Sequence, residues 1–340
     1  IEESITQSGL NNSSAKMVSP GTLLLALYGA TAGITAFTAK EAAINQAILA
    51  IQPKKDSYIP EYLNDWFRLN KSAIIFSYCQ GAQPNLSAEI VRSLLVKTPP
   101  IHEQQAIAAI LSTWDEAIQK TQQLIEQLKQ RNKGLMQQLL TGKKRLKGFS
   151  GKWRRRPANE LFKSVTKKNN GNEPLLSVTQ DRGVIPRDML EGRVTMPDGS
   201  TEGYKMIEPG DFIISLRSFQ GGLEYSEYRG IVSPAYTVLK PVVPINDSFY
   251  KYYYKSYDFI GHLAVAVIGI RDGKQISFED FSALSLPYPP LDEQKAIATV
   301  LSQAYSELNL QEQQLAMLQE QKKGLMQKLL SGAVRVKTIS

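Results

Sequence analysis

Tyr28, Thr31, Gln80, Gln83 and Asn85, and further along the chain Arg217, Ser218, Gln220, Arg229, Arg271, Lys274 and Gln275, stand in or beside four Gly-bearing stretches. These are "GATAGITAFTAKE" (29–41), "CQGAQPNLS" (79–87), "RSFQGGLEYSEYRG" (217–230) and "GIRDGKQIS" (269–277). An arginine fork or a Gln or Asn amide presents two hydrogen-bonding groups in one plane. That geometry fits the paired acceptors of guanine, or the donor and acceptor of adenine, in a major groove. Ser and Thr hydroxyls serve as donor or acceptor, and a lysine ammonium donates without a preferred plane. Phe219, Tyr225 and Tyr228 offer ring faces for a sugar or thymine methyl, or else core packing.

A second group of residues could supply affinity without sequence choice. No acidic residue occurs from Gln127 to Asn159, while "GKKRLKGFSGKWRRR" (142–156) is dense in Lys and Arg, Lys144 and Arg155 among them. Lys167 and Lys168 follow. Such residues neutralise phosphates whatever the base sequence. A solvated charge run at a domain junction is the plainer alternative. The formal net charge of +8 and a pI near 9.3 favour a polyanionic partner.

Groups for covalent or metal chemistry are sparse. His102 and His262 are the two histidines and occupy non-equivalent places, and Cys79 is the single cysteine. That composition argues against a disulfide framework or a thiolate metal site and is economical for a reducing cytoplasm. "GIRDGKQ" has the wrong spacing for a phosphate-binding loop and ends in Gln, and no G-x-G-x-x-G follows a strand pattern. The expectation is a chain without catalytic centre, cofactor or metal. No apolar run reaches membrane-spanning length, so no membrane partner is expected.

The elements that position these residues are written twice. "KGLMQQLLTGKKRL" (133–146) reappears as "KGLMQKLLSGAVRV" (323–336), and "PPIHEQQAIAAILS" from Pro99 as "PPLDEQKAIATVLS" from Pro289. "QPNLSAEIVRSLLV" (83–96) lies over "GKQISFEDFSALSL" (273–286). With one residue of slippage, "KMVSPGTLLLALYGATAG" (16–33) lies over "KMIEPGDFIISLRSFQGG" (205–222). A repeat this long is a structural unit. The framework recurs while the Gly-bearing stretches differ in content, which suits two recognition surfaces with different targets as well as plain drift in loops. Residues 143–194 have no counterpart before Ile1, so the first copy is expected to lack several tens of residues at its start.

After each Pro-Pro, apolar residues recur in alternating steps of four and three. In the first copy the stripe is Ile107, Leu111, Trp114, Ile118, Thr121, Ile125, Leu128, Asn132, Leu135 and Leu139. In the second it is Ile297, Leu301, Ala304, Leu308, Gln311, Leu315, Leu318, Lys322, Leu325 and Leu329. Proline suits only a helix start, Gly142 and Gly332 suit helix ends, and the period is that of a coiled coil. Two matched rods are expected to pack on each other, antiparallel if the copies are related by a pseudo-two-fold, with Thr121, Asn132, Gln311 and Lys322 fixing register. Packing of each rod on its own globular part, or on another chain, is the alternative.

The globular parts read as mixed α and β, with "GTLLLALY" (21–28) and "QAILAIQP" (46–53) as strands matched by "GDFIISL" (210–216) and "YTVLKPV" (236–242). The expected class is α+β: two mixed α/β recognition domains in tandem, separated by two long helices in an antiparallel coiled coil. The boundaries read as 1–98 for the first domain, 99–142 for the first helix, 143–288 for the second domain, 289–332 for the second helix and 333–340 for a tail.

The order K-M-x-x-P-G-[DT]-[FL]-[IL], a Gly-bearing loop, PP-[IL]-x-EQ-x-AIA-x-[IV]-L and KGLMQ-x-LL-[ST]-G resembles the specificity subunit of type I restriction–modification enzymes, over both copies and nearly the whole chain. The resemblance implies two target-recognition domains, each reading one half of a split double-stranded DNA site. It also implies docking of a methyltransferase (modification) subunit that uses S-adenosylmethionine, and of a restriction/translocase subunit. Catalysis then lies in those partners, in the cytoplasm of a bacterium or archaeon. Two other classes share some of these features. A basic coiled-coil adaptor or scaffold would bind DNA without a preferred site, and a nuclease of unfamiliar design would cut DNA unaided.

Overall fold

The computed structural model describes residues 4–52, 57–79, 84–190, 201–215, 218–266 and 276–337. In chain order the first copy forms α1 (Gln7–Asn11), β1 (Lys16–Val18), β2 (Leu23–Ala26), β3 (Thr35–Phe37), β4 (Ala42–Ile44), β5 (Ile48–Ile51), α2 (Pro60–Tyr78), α3 (Ala88–Ser93) and α4 (Ile101–Leu139). The second begins with β6 (Arg154–Pro157), α5 (Ala158–Leu161), β7 (Phe162–Val165), β8 (Leu176–Thr179), β9 (Gly183–Pro186), β10 (Lys205–Ile207) and β11 (Phe212–Ile214). It continues with α6 (Ser218–Gly221), β12 (Glu224–Tyr225), β13 (Gly230–Val232), β14 (Thr237–Pro241), α7 (Asp247–Tyr253), α8 (Tyr257–Ala266), α9 (Phe278–Ser282), β15 (Ser285–Tyr288) and α10 (Leu291–Leu330).

The strands matched in sequence are matched in pairing. β2 runs antiparallel to β5 with Leu23 opposite Ile51, and β11 runs antiparallel to β14 with Phe212 opposite Leu239. The first sheet has the order β3-β2-β5 and the second β12-β11-β14-β7. Leu23 and Leu25 alternate with half-buried neighbours, so β2 has one dry face, whereas all of β11 is buried. Phe162, Phe212, Tyr250 and Tyr254 meet edge to face or tilted beneath the second sheet, at ring separations of 5.1 to 5.8 Å. Tyr225 joins that core by its ring against Phe212, and its hydroxyl donates to Asp247 at 2.6 Å. It is therefore a packing residue. Among the described residues no helix is long and apolar enough to cross a membrane.

α4 and α10 start directly after Pro-Pro and run for 39 and 40 residues, each roughly 60 Å. They end in the same way. The Lys144 amide donates to Gln138 O and the Val334 amide to Lys328 O, each across a left-handed glycine, Gly142 and Gly332. At Gly142 the ring of Trp153 lies 3.2 Å from where a Cβ would sit.

The chain divides into two compact units, Ile1–Leu124 with Gln311–Ser340, and Ile125–Leu310. Each unit contains part of α4 and half of α10. In the first, Ile107 and Leu111 bury against Met326, Leu329 and Leu330, and Asp115 pairs with Lys322 at 2.5 Å. In the second, Asn132 Nδ2 donates to Ala304 O at 2.9 Å, Arg131 pairs with Glu307 at 2.8 Å, and Tyr305 meets Met136. In both units, residue numbers rise on one helix as they fall on the other. The two long helices are antiparallel.

The stripe expected from the heptads is the buried stripe. Ile107, Leu111, Ile125, Leu128, Leu139, Ile297, Leu301, Ala304 and Leu329 are buried. Trp114, Ile118, Leu135, Leu308, Gln311, Leu315, Leu318 and Leu325 are half-buried. The polar members Thr121, Asn132 and Lys322 are buried as well, each with a hydrogen bond. Leu310 and Met317, off the stripe, are 60% and 56% exposed. Leu111→Ala is expected to cost about 2–5 kcal/mol in denaturant unfolding. Leu310→Ala should stay within about 0.5 kcal/mol. Equal costs would disprove this assignment of the seam.

Candidate nucleic-acid interface

The PP-x-x-EQ motif has a defined structural job in both copies. Gln104 is fully buried; its Oε1 accepts from the Ile59 amide at 3.0 Å and its Nε2 donates to Pro99 O at 2.8 Å. Gln294 repeats this with the Asn246 amide at 2.9 Å and Pro289 O at 2.8 Å. Ile59 and Asn246 are the N-caps of α2 and α7, so each glutamine fastens a globular helix to the start of a long one. Tyr62 and Tyr250 complete the fastening with hydroxyl bonds to Lys97 O and Pro287 O, at 2.7 and 2.8 Å.

The glutamates make a crossed arrangement. Glu293, of the second copy, is fully buried and takes both oxygens' worth of bonding from Arg145, of the first, at 2.5 and 2.6 Å, plus the Trp153 indole at 3.0 Å. Glu103, of the first copy, is bound in the same bidentate way by Arg335, of the second, at 2.7 and 2.6 Å. Those hydrogen bonds hold the Glu103 carboxyl below the usual carboxylate range. Nothing in the composition or heptad pattern points to these four residues. Their signal was recurrence: Glu follows each Pro-Pro by three positions, and Arg follows each terminal glycine by three.

The structure brings together three of the residues that could read bases. Tyr28 and Asn85 face each other in an antiparallel bridge, secured by the Gly29 amide to Pro84 O at 3.0 Å and the Leu86 amide to Leu27 O at 2.8 Å. Thr31 lies in the adjoining turn, its hydroxyl donating to Tyr28 O at 3.3 Å. All three are exposed. Gln80, Gln83, Arg217, Arg271, Lys274 and Gln275 lie outside the described residues, as does the side chain of Gln220. Ser218 is turned inward: its hydroxyl accepts from the Ser215 amide at 2.8 Å and is 1% exposed. A hydroxyl so committed braces the α6 turn from beneath.

The basic residues fall in two places. Lys144 is exposed just past the end of α4, and Arg155 on β6 bonds the Ser285 hydroxyl and carbonyl. Lys167 and Lys168 are exposed at the end of β7 and lie near Arg229 and Lys205. Lys167 and Arg229 both act on Glu173 and Glu208, and Lys168 on Lys205. Arg229 is held to Glu173 at 2.6 Å, so its guanidinium is oriented by a carboxylate. Tyr228 packs on the cluster around Leu176 and Val184. His102 is exposed in the first turn of α4.

One polar network lies beside the seam. Asp65, 5% exposed, sits 3.7 Å from Arg68, which also pairs with Asp115 at 3.2 Å. Burial pushes the Asp65 carboxyl up to about 6, against the pull of Lys322 and Arg68. A carboxyl whose folded-state pKa is raised binds its proton more tightly in the folded chain. Stability is then lost as pH rises from about 4 to about 6, and Asp65→Asn should flatten that slope in a pH series of thermal melts. An unchanged slope would place the cause elsewhere.

The architecture is a duplicated α/β frame on an antiparallel helix pair. The chain belongs to the type I restriction modification DNA specificity domain family, which matches residues 2–130 and 150–320. Its role is that of a DNA-specificity subunit of such a system. The MjaX type I restriction enzyme specificity subunit of Methanocaldococcus jannaschii is 27% identical over 319 residues, covering 86% of this chain and 72% of that one. The MjaVIII specificity subunit of the same organism is 25% identical over 354 residues, covering 95% and 81%. Among solved structures, the S subunit from M. genitalium has a TM-score of 0.59 at 16% identity, covering 96% of this chain and 85% of that one. The HsdS subunit from Thermoanaerobacter tengcongensis has a TM-score of 0.51 at 18% identity, covering 94% and 83%. At these identities the structures speak for the fold.

Removing either end of a crossed pair leaves a charge without its partner. Arg145→Ala and Glu293→Ala should each lower the melting temperature. The double variant should lose less than the sum, because the stranded partner is gone too. Additive losses would mean that the pair is not coupled.

Proposed function

We propose that the two copies each read one half of a bipartite double-stranded DNA target, through loops displayed from the repeated frame. The first recognition domain is 1–98 and the second 143–288. The helices 99–142 and 289–332 serve as docking surfaces for methyltransferase and restriction/translocase subunits, with 333–340 as a tail. Catalysis belongs to those partners, S-adenosylmethionine being bound by the methyltransferase, and the assembly works in the cytoplasm of a bacterium or archaeon. One observation carries this reading. The frame contacts of Gln104 and Gln294, Tyr62 and Tyr250, and Glu103 and Glu293 are made twice over. The stretches between them differ in residue type.

In this reading Tyr28, Thr31 and Asn85, with Gln80 and Gln83, meet base edges in one half-site. Arg217, Gln220, Arg271, Lys274 and Gln275 meet them in the other. Lys144, Lys167 and Lys168 neutralise phosphates, with Arg155 and Arg229 flanking them. Selection of sites from random duplex DNA by the chain assembled with its modification subunits tests this. Asn85→Ala should relax one half-site by about 1–3 kcal/mol per lost bidentate contact, and Arg217→Ala the other. Lys144→Ala and Lys167→Ala should weaken all sequences alike and reduce the salt slope by about one each. Uniform weakening by all four variants would leave only a sequence-indifferent scaffold.

A further inference from the structure

Lys255, between α7 and α8, ties together the β8–β9 turn, the end of α6 and β12. Its ammonium donates to Gln180 O in the β8–β9 turn at 3.2 Å, to Gly221 O at the end of α6 at 3.0 Å, and to Glu224 Oε1 on β12 at 2.6 Å. Those bonds use all three of its donors. Glu224 is 1% exposed, and its Oε2 is buried without a hydrogen-bond partner. A lone buried charge pair is a poor source of stability, since apolar side chains of similar volume commonly do as well or better. What the pair does provide is a fixed position for an ammonium under the α6 turn.

That turn is seated on the same stretch of chain. The Gly222 amide closes it with a bond to Ser218 O at 2.9 Å, and the Ser218 hydroxyl ties it back to the Ser215 amide. Gly222 has φ +75°, and a Cβ there would fall 1.7 Å from Tyr254 O, so the backbone rests directly against the residue before Lys255. Movement of residues 218–222 away from 254–255 is opposed by the bond from Lys255 to Gly221. Burial raises the Glu224 carboxyl to about 7, and Lys255 opposes this rise.

We infer that Lys255, anchored by Glu224, is a positioning residue that sets the base preference of the second recognition domain by fixing the 218–222 turn. It acts without touching a base. The inference rests on the reading that this turn meets DNA, and it makes a specificity determinant of a residue outside the loop itself. A one-ångström displacement of a base-reading side chain is enough to lose a bidentate contact, because such contacts need distance and plane together.

The test is site selection from random duplex DNA, using the full chain assembled with its modification subunits. Lys255→Met is combined with Glu224→Gln so that no carboxylate is stranded, and Lys255→Arg is made alone. The double variant should lose about tenfold in preference at one or more base pairs of a single half-site, the size of one lost contact. The other half-site should stay as it was, and Lys255→Arg should give a smaller loss at the same positions. Unchanged preference in both variants, or equal loss at both half-sites, would overturn the inference. Should the double variant not fold, Lys255→Arg decides on the same criterion. Arg217→Ala and Gln220→Ala run in parallel. If these leave both half-sites unchanged, the turn does not read bases through those two residues, whatever the outcome at Lys255.

Discussion

The crossed pairing of Glu103 with Arg335 and Glu293 with Arg145 is the constraint on which the rest depends. A carboxylate with no solvent contact is tolerated only when its charge is matched and its lone pairs are filled. Glu293 meets that condition with two bonds from a guanidinium and one from an indole. The guanidinium comes from the other copy. Each long helix can therefore start in its observed place only if the opposite helix ends nearby, and this selects the antiparallel arrangement over a parallel one. The apolar seam adds attraction to that choice, and the buried Asn132 and Lys322 make a slipped register costly.

Much of the frame was legible from the chain alone, for reasons that can be named. A heptad stripe interrupted by Thr121, Asn132, Gln311 and Lys322 still has one apolar face, and that face is the buried one. The Pro-Pro and terminal glycines marked helix limits because backbone geometry permits them in few places. β2 and β11 were readable because Pro-Gly punctuates short apolar runs, and β5 and β14 because they recur in matched places. Met136 and Met326, Leu140 and Leu330 escaped notice, since they flank the stripe and are buried by the globular cores and helix ends.

The functional surface was less legible. Polar residue types in loops announce a capacity for hydrogen bonding but not which way the side chain points. Ser218 shows the difficulty: beside Arg217 and Gln220 it reads as a base contact, yet its hydroxyl is spent on the Ser215 amide. Tyr225 is similar, with its ring in the core and its hydroxyl on Asp247. Tyr28 and Asn85 lie 57 positions apart in sequence, and only the bridge between them shows that they share one surface. Gln104 and Gln294 carried the opposite lesson, because a polar residue repeated at matched places was structural mortar.

The division of the chain bears on how it is made. The second unit is one unbroken stretch, Ile125–Leu310, whereas the first needs Gln311–Ser340 to complete it. A ribosome delivers residues in order at about 5–20 per second, and units fold as their residues emerge. The stretch that carries the first recognition loops is thus translated early but waits for partners translated after the whole second unit. Until then Ile107 and Leu111 lack Met326 and Leu329 to cover them. The residues that complete the first unit are delivered after those of the second.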